Sequence, residues 1–407
     1  MEKKKALEGI RVLDLTRVLA GPYASMVLGD LGAEIIKIET PDGGDDARGF
    51  GPFLNGESVY FISINRNKKS IALNLKKEEG KDVFRKMVKE ADVVLENYRP
   101  GTMEKLGLGY EALKEINPRI IYASSSGFGH TGPFSSKAAY DLIVQGMGGI
   151  MSLTSLQEGG PPTRVGASVG DITAGLFTVI GILSALQHRN RTGEGEKVDV
   201  AMLDCQVAIL ENAIARYAVT GTSPKATGNR HPSITPFAVF KAQDDYIVVA
   251  AGNDQLWRKW CTVVGRAELA EDSRFATNML RTDHWTELEP IMQEVIEQRT
   301  VDEWLGIFEA AGIPSSCIND VEKVVQHPQV LAREMIVHQE HPTAGRIMMP
   351  GIPIKLSTAP GSIDLPAPGL GEHTETVLQE ILGYTGEEIE QLRSAGVIYN
   401  EVHKVVK

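Results

Sequence analysis

Cysteine is scarce: Cys205, Cys261 and Cys317 are the only three in 407 residues. They lie far apart, are odd in number and show no CxxC or Cys/His spacing, which excludes a disulfide framework and a cysteine-based zinc site. The expected setting is a reducing compartment, the cytoplasm. Positive charge is also in short supply, with 42 Lys and Arg against 53 Asp and Glu and a net charge of −11. Nucleic-acid binding, which needs a basic face, is therefore not expected. A local basic pocket for phosphates remains compatible. Behind the basic start Met1–Leu7 there is no apolar stretch of signal-peptide type, and no run reads as long enough to span a bilayer, so no membrane partner is expected. Histidines at helical i,i+4 spacing, sequence repeats and low-complexity tracts are missing too, and no metal site is expected.

What is present is the composition of a folded chain, 42% hydrophobic and 23% charged. Its length exceeds one ordinary core and suggests two domains. Short apolar strands alternate with helices: Ile10–Leu15, Tyr23–Leu31, Glu34–Glu39, then Ser70–Leu75, Glu78–Lys89, Val93–Glu96, Tyr110–Glu115 and Ile120–Ser125. That alternation argues for an α/β fold with an open, mainly parallel sheet. Long helices are expected over Ile172–Arg189, with Ile172, Leu176, Val179, Ile180, Leu183 and Leu186 buried, and over Leu203–Val219. The stretch Thr220–Pro236, rich in Gly, Pro, Ser and Thr, reads as a linker or loop. A smaller α+β segment comes next, with a strand at Tyr246–Ala251 and helices at Gln255–Val264 and Val301–Ala310. Gln339–Pro366 reads as extended chain returning to the first domain, succeeded by polar amphipathic helices near Glu375–Leu382 and Glu387–Ala395. The expected organisation is a large Rossmann-like domain over 1–220, a small α+β domain over 221–335, and a return to the large domain over 336–407.

Few segments carry chemistry. The first strand-to-helix turn, Thr16–Pro22, stands where α/β folds hold a phosphate, and Glu39 lies about 20 residues on, as in dinucleotide-binding folds. The GxGxxG fingerprint is absent and Pro22 removes an amide donor, so the turn reads more simply as a helix start. Asn65–Ser70 (NRNKKS) is a basic cluster in an acidic chain, readable as a solvated face or, with Lys76, Lys105 and Lys137, as cations for the phosphates of coenzyme A. Asn97–Gly101 (NYRPG) is an ordinary turn by itself, but strand ends of one parallel sheet converge on one edge. Asp171 opens a helix in GDITA, where the bland reading is an N-cap. The functional reading is a carboxylate nucleophile. An aspartate with a reference pKa of about 3.9 is ionised at neutral pH and needs no partner base. His231 stands in the loop, where a lone histidine is usually only solvent-facing.

Taken together, the segments LEGIRVLDLTRVLAGP (Leu7–Pro22), LGDLGAEIIKIE (Leu28–Glu39), NRNKKSIALNLK (Asn65–Lys76), ENYRPGTMEKLGLGY (Glu96–Tyr110), GFGHTGP (Gly127–Pro133), AAYDLIVQG (Ala138–Gly146), GDITAG (Gly170–Gly175) and GEKVDVAMLD (Gly195–Asp204) resemble the class III CoA-transferases, the CaiB/BaiF family. The likeness covers nearly the whole chain. It is strongest to the succinyl-CoA-dependent dicarboxylate transferases, through SINRNKKSIAL and VVAAGNDQLW. The resemblance implies Asp171 as the catalytic nucleophile. It implies CoA contacts at Val18, Leu19, Ala20, Thr40, Leu73, Asn74 and Lys76, and further ones at Asn97, Tyr98, Lys105, Lys137, Ala138, Tyr140 and Asp141. Gly228, Asn229, Arg230 and His231 would line the acyl pocket.

Leu19 and Thr40 stand where formyl-CoA transferase has glutamine and arginine, and Gly228–Ile234 replaces its all-glycine loop. These departures favour an acid larger than formate or oxalate. The family also implies an interlocked homodimer, a CoA thioester as substrate, carboxylic acids as partners and no permanently bound cofactor. Two other functions fit parts of the sequence. One is an α-methylacyl-CoA racemase, although this chain has Tyr140-Asp141 where racemases of that superfamily carry a His-Asp pair. The other is a non-catalytic CoA-binding protein in which Asp171 merely caps a helix.

Overall fold

A computed structural model describes residues 4–399, which form two compact units. The first takes the chain up to Ile150, Arg164–Glu211 and the chain from Leu331 onward; the second takes Met151–Thr163 and Asn212–Val330.

The first unit is built on six parallel strands: β1 (Arg11–Asp14), β2 (Glu34–Glu39), β3 (Lys68–Leu73), β4 (Val93–Glu96), β5 (Ile121–Ser126) and β6 (Lys197–Ala201). Their order across the sheet is β3-β2-β1-β4-β5-β6, and Ile398–Tyr399 closes the β3 edge in antiparallel sense. Both faces are buried, as a parallel sheet requires. Leu13, Ile36, Ile71 and Val94 pack with Phe84, Met87 and Leu378 on one face. Val12, Ile35, Leu95 and Ala123 pack with Ala24, Leu28, Val179 and Ile182 on the other. Three helices matter for the site: α1 (Ala20–Asp30), the short α2 (Asp141–Met147) and the long α3 (Val169–Thr192). Helices α1 and α3 pack on each other and cover the second face.

The expected elements at Glu34–Glu39, Glu78–Lys89 and Val93–Glu96 are present with those bounds. Others differ. The helix expected over Leu203–Val219 is two, Met202–Ala208 and Ala213–Thr220, because Glu211 between them adopts φ 55°, which no right-handed helix accommodates. At the start of the stretch expected to be extended, Gln339–Pro366, the chain forms a hairpin of Ile336–His341 and Gly345–Pro350, the first strand beginning before it. α3 reaches further at both ends than expected. It is long and apolar enough to cross a bilayer, contrary to the expectation that no run is. It packs on α1 and β5 as a core helix, however. Its expected burial is only half right: Val179 and Leu186 are buried, whereas Leu176 and Ile180, with Phe177 beside them, are exposed.

The second unit is a three-stranded antiparallel sheet in the order Ser315–Cys317, Tyr246–Ala250, Phe237–Lys241. Helices Asp254–Val263, Trp285–Ile296 and Val301–Ala311 cover it around a core that includes Trp257, Trp260, Phe240 and Trp304. The turn Gly228–His231 is pinned to this sheet, with His231 N–H donating to Phe237 O at 2.9 Å and Val239 N–H to Asn229 O at 3.1 Å. The His231 ring stacks on Phe237, and Arg230 lies over Trp285.

Candidate active site

The chain leaves β1 for β2 on one side, while β4 lies on the other. At such a switch point the loops at the carboxyl ends of the strands part and leave a crevice. The crevice here is a cavity of about 240 Å³ holding Asp171. Val18, Leu19 and Ala20 reach it from the end of β1, and Asn97 and Tyr98 from the end of β4. Lys137, Ala138 and Tyr140 reach it from the segment before α2. A second cavity of about 710 Å³ is lined by the remaining outer residues of the expected set: Thr40, Leu73, Asn74, Lys76 and Lys105. Arg17, Asp46 and Tyr98 line both, so the two adjoin. Two strand-end turns, each ordinary alone, thus face one space because the parallel sheet sets their ends side by side.

Asp171 is not an N-cap. Ser168 holds that position, the helix begins at Val169, and Asp171 lies in its first turn. Among the described residues nothing hydrogen-bonds its carboxylate. Burial, and after it the charge of Asp141, push its pKa up to about 7. The expectation of an ordinary, low carboxylate pKa is therefore corrected: in this site the proton is held far more tightly than on a free aspartate.

The glycines of GDITAG explain how the carboxylate comes to rest there. A Cβ on Gly170 would stand 2.7 Å from a Val144 methyl and 3.0 Å from Asp141 Oδ1, and one on Gly175 would stand 2.8 Å from Ala20 O. The helix that carries Asp171 can therefore lie directly against α2 and the start of α1. Asp141 does not line either cavity. Its Oδ1 accepts the Gly170 N–H at 2.9 Å, which ties α2 to the first turn of α3, and its Oδ2 accepts Gln145 Nε2 from within α2 at 2.8 Å.

Several side chains singled out in the sequence make contacts within the protein. Asn97 spends its amide on the neighbouring turn, donating to Arg17 O at 2.7 Å and accepting Arg17 N–H at 2.8 Å. Glu39 borders the second cavity but is buried, its carboxylate bound by Arg48 and by Ser70 at 2.6 Å. The basic cluster Asn65–Ser70 is neither solvated nor at the cavities. Arg66 is buried in a bidentate pair with Asp30, Lys68 in a pair with Asp14, and Lys69 binds Glu34.

A model of CoA-transferase family III matches residues 7–374. The chain belongs to this family. It is 43% identical over 405 residues to succinyl-CoA:glutarate CoA-transferase of Homo sapiens, covering 99% of this chain and 92% of that one. It is 45% identical over 379 residues to acetyl-CoA:oxalate CoA-transferase of Acetobacter aceti, covering 93% and 96%. The fold agrees with the crystal structure of a CaiB/BaiF family protein from Brucella suis at a TM-score of 0.82 and 41% identity, over 93% of this chain and 100% of that one.

For a family III CoA-transferase the residue most conspicuously missed in the sequence is Arg17. It lies at the junction of the two cavities, its guanidinium 5.3 Å from the Tyr98 ring centroid and 3.2 Å from Asp46. The TRVLAGP motif contained it, but only the adjoining cavities single it out. A planar cation there suits a diphosphate. Arg17→Ala is expected to weaken free CoA and acyl-CoA alike by about tenfold or more, with kcat nearly unchanged, the signature of binding shared by ground and transition states. Calorimetry with free CoA checks it; an unchanged Kd would remove Arg17 from the site.

Proposed function

We propose that this CoA-transferase moves CoA from an acyl-CoA, with succinyl-CoA the preferred donor, to a carboxylic acid, and that Asp171 is the covalent nucleophile. The observation that carries the reading is Asp171 itself: a carboxylate without a hydrogen-bond partner, partly buried, in the cavity at the switch point. Its oxygen attacks the thioester carbonyl, the C–S bond breaks, and an acyl–aspartyl anhydride forms as CoA thiolate departs. The thiolate then attacks the aspartyl carbonyl, releasing the first acid and leaving an aspartyl-CoA thioester. The acceptor carboxylate attacks that thioester and forms a second anhydride. The returning thiolate takes the new acyl group and frees Asp171. Bonds made and broken balance, and no net proton is consumed. Backbone amides beside Asp171 stabilise the oxyanions in this scheme.

Val18–Ala20, Asn97, Tyr98, Lys137, Ala138 and Tyr140 hold the pantetheine end, and Thr40, Leu73, Asn74, Lys76 and Lys105 the nucleotide end. Succinyl-CoA as donor is supported by the name of the human relative, whereas the Acetobacter relative is named for acetyl-CoA and oxalate. A panel of acyl-CoA donors against mono- and dicarboxylates decides between them. Mass spectrometry of enzyme incubated with donor alone is expected to find an acyl or CoA adduct on the Asp171 peptide; its absence under turnover conditions, with transfer intact, sinks the mechanism. Solvent deuterium entering the α-carbon of a branched acyl-CoA without transfer would favour the racemase instead.

An interlocked homodimer, each site completed by the small unit of the partner subunit, belongs to the same proposal. The exposed Leu176, Phe177 and Ile180 on α3 support a covered face there. Sedimentation as a monomer at assay concentration would refute it. A cytoplasmic location fits the three free thiols.

A further inference from the structure

The wall of the Asp171 cavity contains a strained residue. Val18 has φ 68°. A β-branched side chain in the left-handed region is a steric outlier that persists only where its surroundings over-determine it. The surroundings here are side chains, the buried Asp14 and Asp45 and the half-buried Asn97, that take up the amides of the turn one after another. Thr16 N–H donates to Asp14 Oδ1 at 2.9 Å, Arg17 N–H to Asn97 Oδ1 at 2.8 Å, and Val18 N–H to Asp45 Oδ1 at 3.0 Å.

Asp45 is itself held from three sides. Its Oδ1 also accepts Ala47 N–H at 2.9 Å, its own N–H donates to Glu39 Oε2 at 3.0 Å, and its Oδ2 lies 2.8 Å from Lys37 Nζ. Lys37 is wholly buried and donates to Thr16 O at 2.8 Å, which closes a ring from Lys37 through Asp45 and Val18 back to Thr16. Neither Lys37 nor Asp45 lines a cavity, whereas Val18, Leu19 and Ala20 line the one that holds Asp171.

We infer that Asp45 is a positioning residue for CoA transfer: backed by Lys37, it clamps the Val18 amide and holds that residue left-handed, so that the Val18–Ala20 wall stands at the right place opposite Asp171. The inference rests on the reading of this cavity as the transfer site. It differs from a purely structural role because it acts through one backbone conformation, and glycine adopts that conformation without the Cβ penalty.

The experiment is a double-mutant cycle between Asp45→Asn and Val18→Gly, read as Kd for free CoA and as KM and kcat with succinyl-CoA. In Asp45→Asn the buried Lys37 takes the amide oxygen, and the NH₂ group is turned against the Val18 N–H. Kd and KM are expected to rise about tenfold, with a smaller fall in kcat, as the wall shifts by a fraction of an ångström. In the Val18→Gly background the same Asp45 substitution is expected to cost less than about threefold, because the turn is no longer strained. An equal loss in both backgrounds means that Asp45 does not act through Val18 and overturns the inference. So does Asp45→Asn with parental Kd and KM.

Should the Asp45 variants not fold, hydrogen exchange of the parent decides. The Val18 amide is expected to be protected like a strand amide, and exchange at the rate of a free peptide overturns the clamp. CoA binding is measured in the Asp171→Ala background as well. Normal transfer by Asp171→Ala would end the reading of the site, whereas the coupling between Asp45 and Val18 in CoA binding is decided separately.

Discussion

Asp171→Asn is expected to lose CoA transfer by at least about a thousandfold and yet to melt higher than the parent at pH 8. The two effects have one cause. The fold holds a partly buried carboxylate with a second carboxylate, Asp141, nearby, so its pKa is raised from 3.8 to about 7. A raised acid is bound more tightly by its proton in the folded state than in the unfolded chain. Its contribution to stability is therefore fully present below pH 3.8 and is lost as the pH rises through about 7. At pH 8 the charged form costs up to about 4 kcal/mol relative to the unfolded chain, at 1.36 kcal/mol per unit. The amide carries no charge and is spared that cost.

The gap in melting temperature between variant and parent should accordingly shrink as the pH falls from 7 towards 4. Activity has the opposite slope. Transfer needs the carboxylate, so kcat/KM of the parent should climb about tenfold per pH unit below 7 and level off above it. An Asp171→Asn protein that transfers CoA, or one that melts at the parental temperature at pH 8, contradicts the assignment.

Asp141→Ala is expected to lower kcat about a hundredfold while changing the Kd for CoA by no more than about threefold. Removing the carboxylate leaves the buried Gly170 N–H without its acceptor and unties α2 from the first turn of α3, one residue from Asp171. It also removes the second cause of the raised pKa, so the residual activity should have its acidic limb at lower pH. Asp141→Asn keeps an oxygen for Gly170 and loses the charge. It should retain more of kcat and show the same shift of the limb. The resemblance to class III CoA-transferases implies a CoA contact at this position, whereas Asp141 lines neither cavity and bonds to Gly170, and we propose that it positions Asp171. A large loss of CoA affinity with kcat intact would decide for the contact.

How far the site was legible in the sequence can be argued from particular residues. β2 and β4 were readable because short apolar runs between turn residues carry their own signal, and the helix Glu78–Lys89 because its apolar spacing does. β6 was missed: KVDVA is half polar, and only pairing with β5 makes it a strand. The break at Glu211 was missed because one left-handed residue leaves no trace in hydrophobic spacing. Asn97, Tyr98 and Lys137 could be named from the sequence only as a set matched to one family, and it is the fold that brings them to one cavity. Arg66 and Lys68 were misread because a basic cluster looks the same on a line of letters whether its partners are water or buried carboxylates such as Asp30 and Asp14.

The sequence by itself determined the fold class and the family, and it singled out Asp171. Those follow from the order of short elements and from motifs, and both are properties of neighbouring residues. Only the tertiary structure decided that burial and Asp141 raise the pKa of Asp171, that Asp141 stands behind it and not at the cavity, and that the left-handed Val18 donates its amide to Asp45. Each of these depends on burial, on a Coulomb term or on a hydrogen bond between residues far apart in the chain. Such energies exist only once the sheet has set its strand ends side by side.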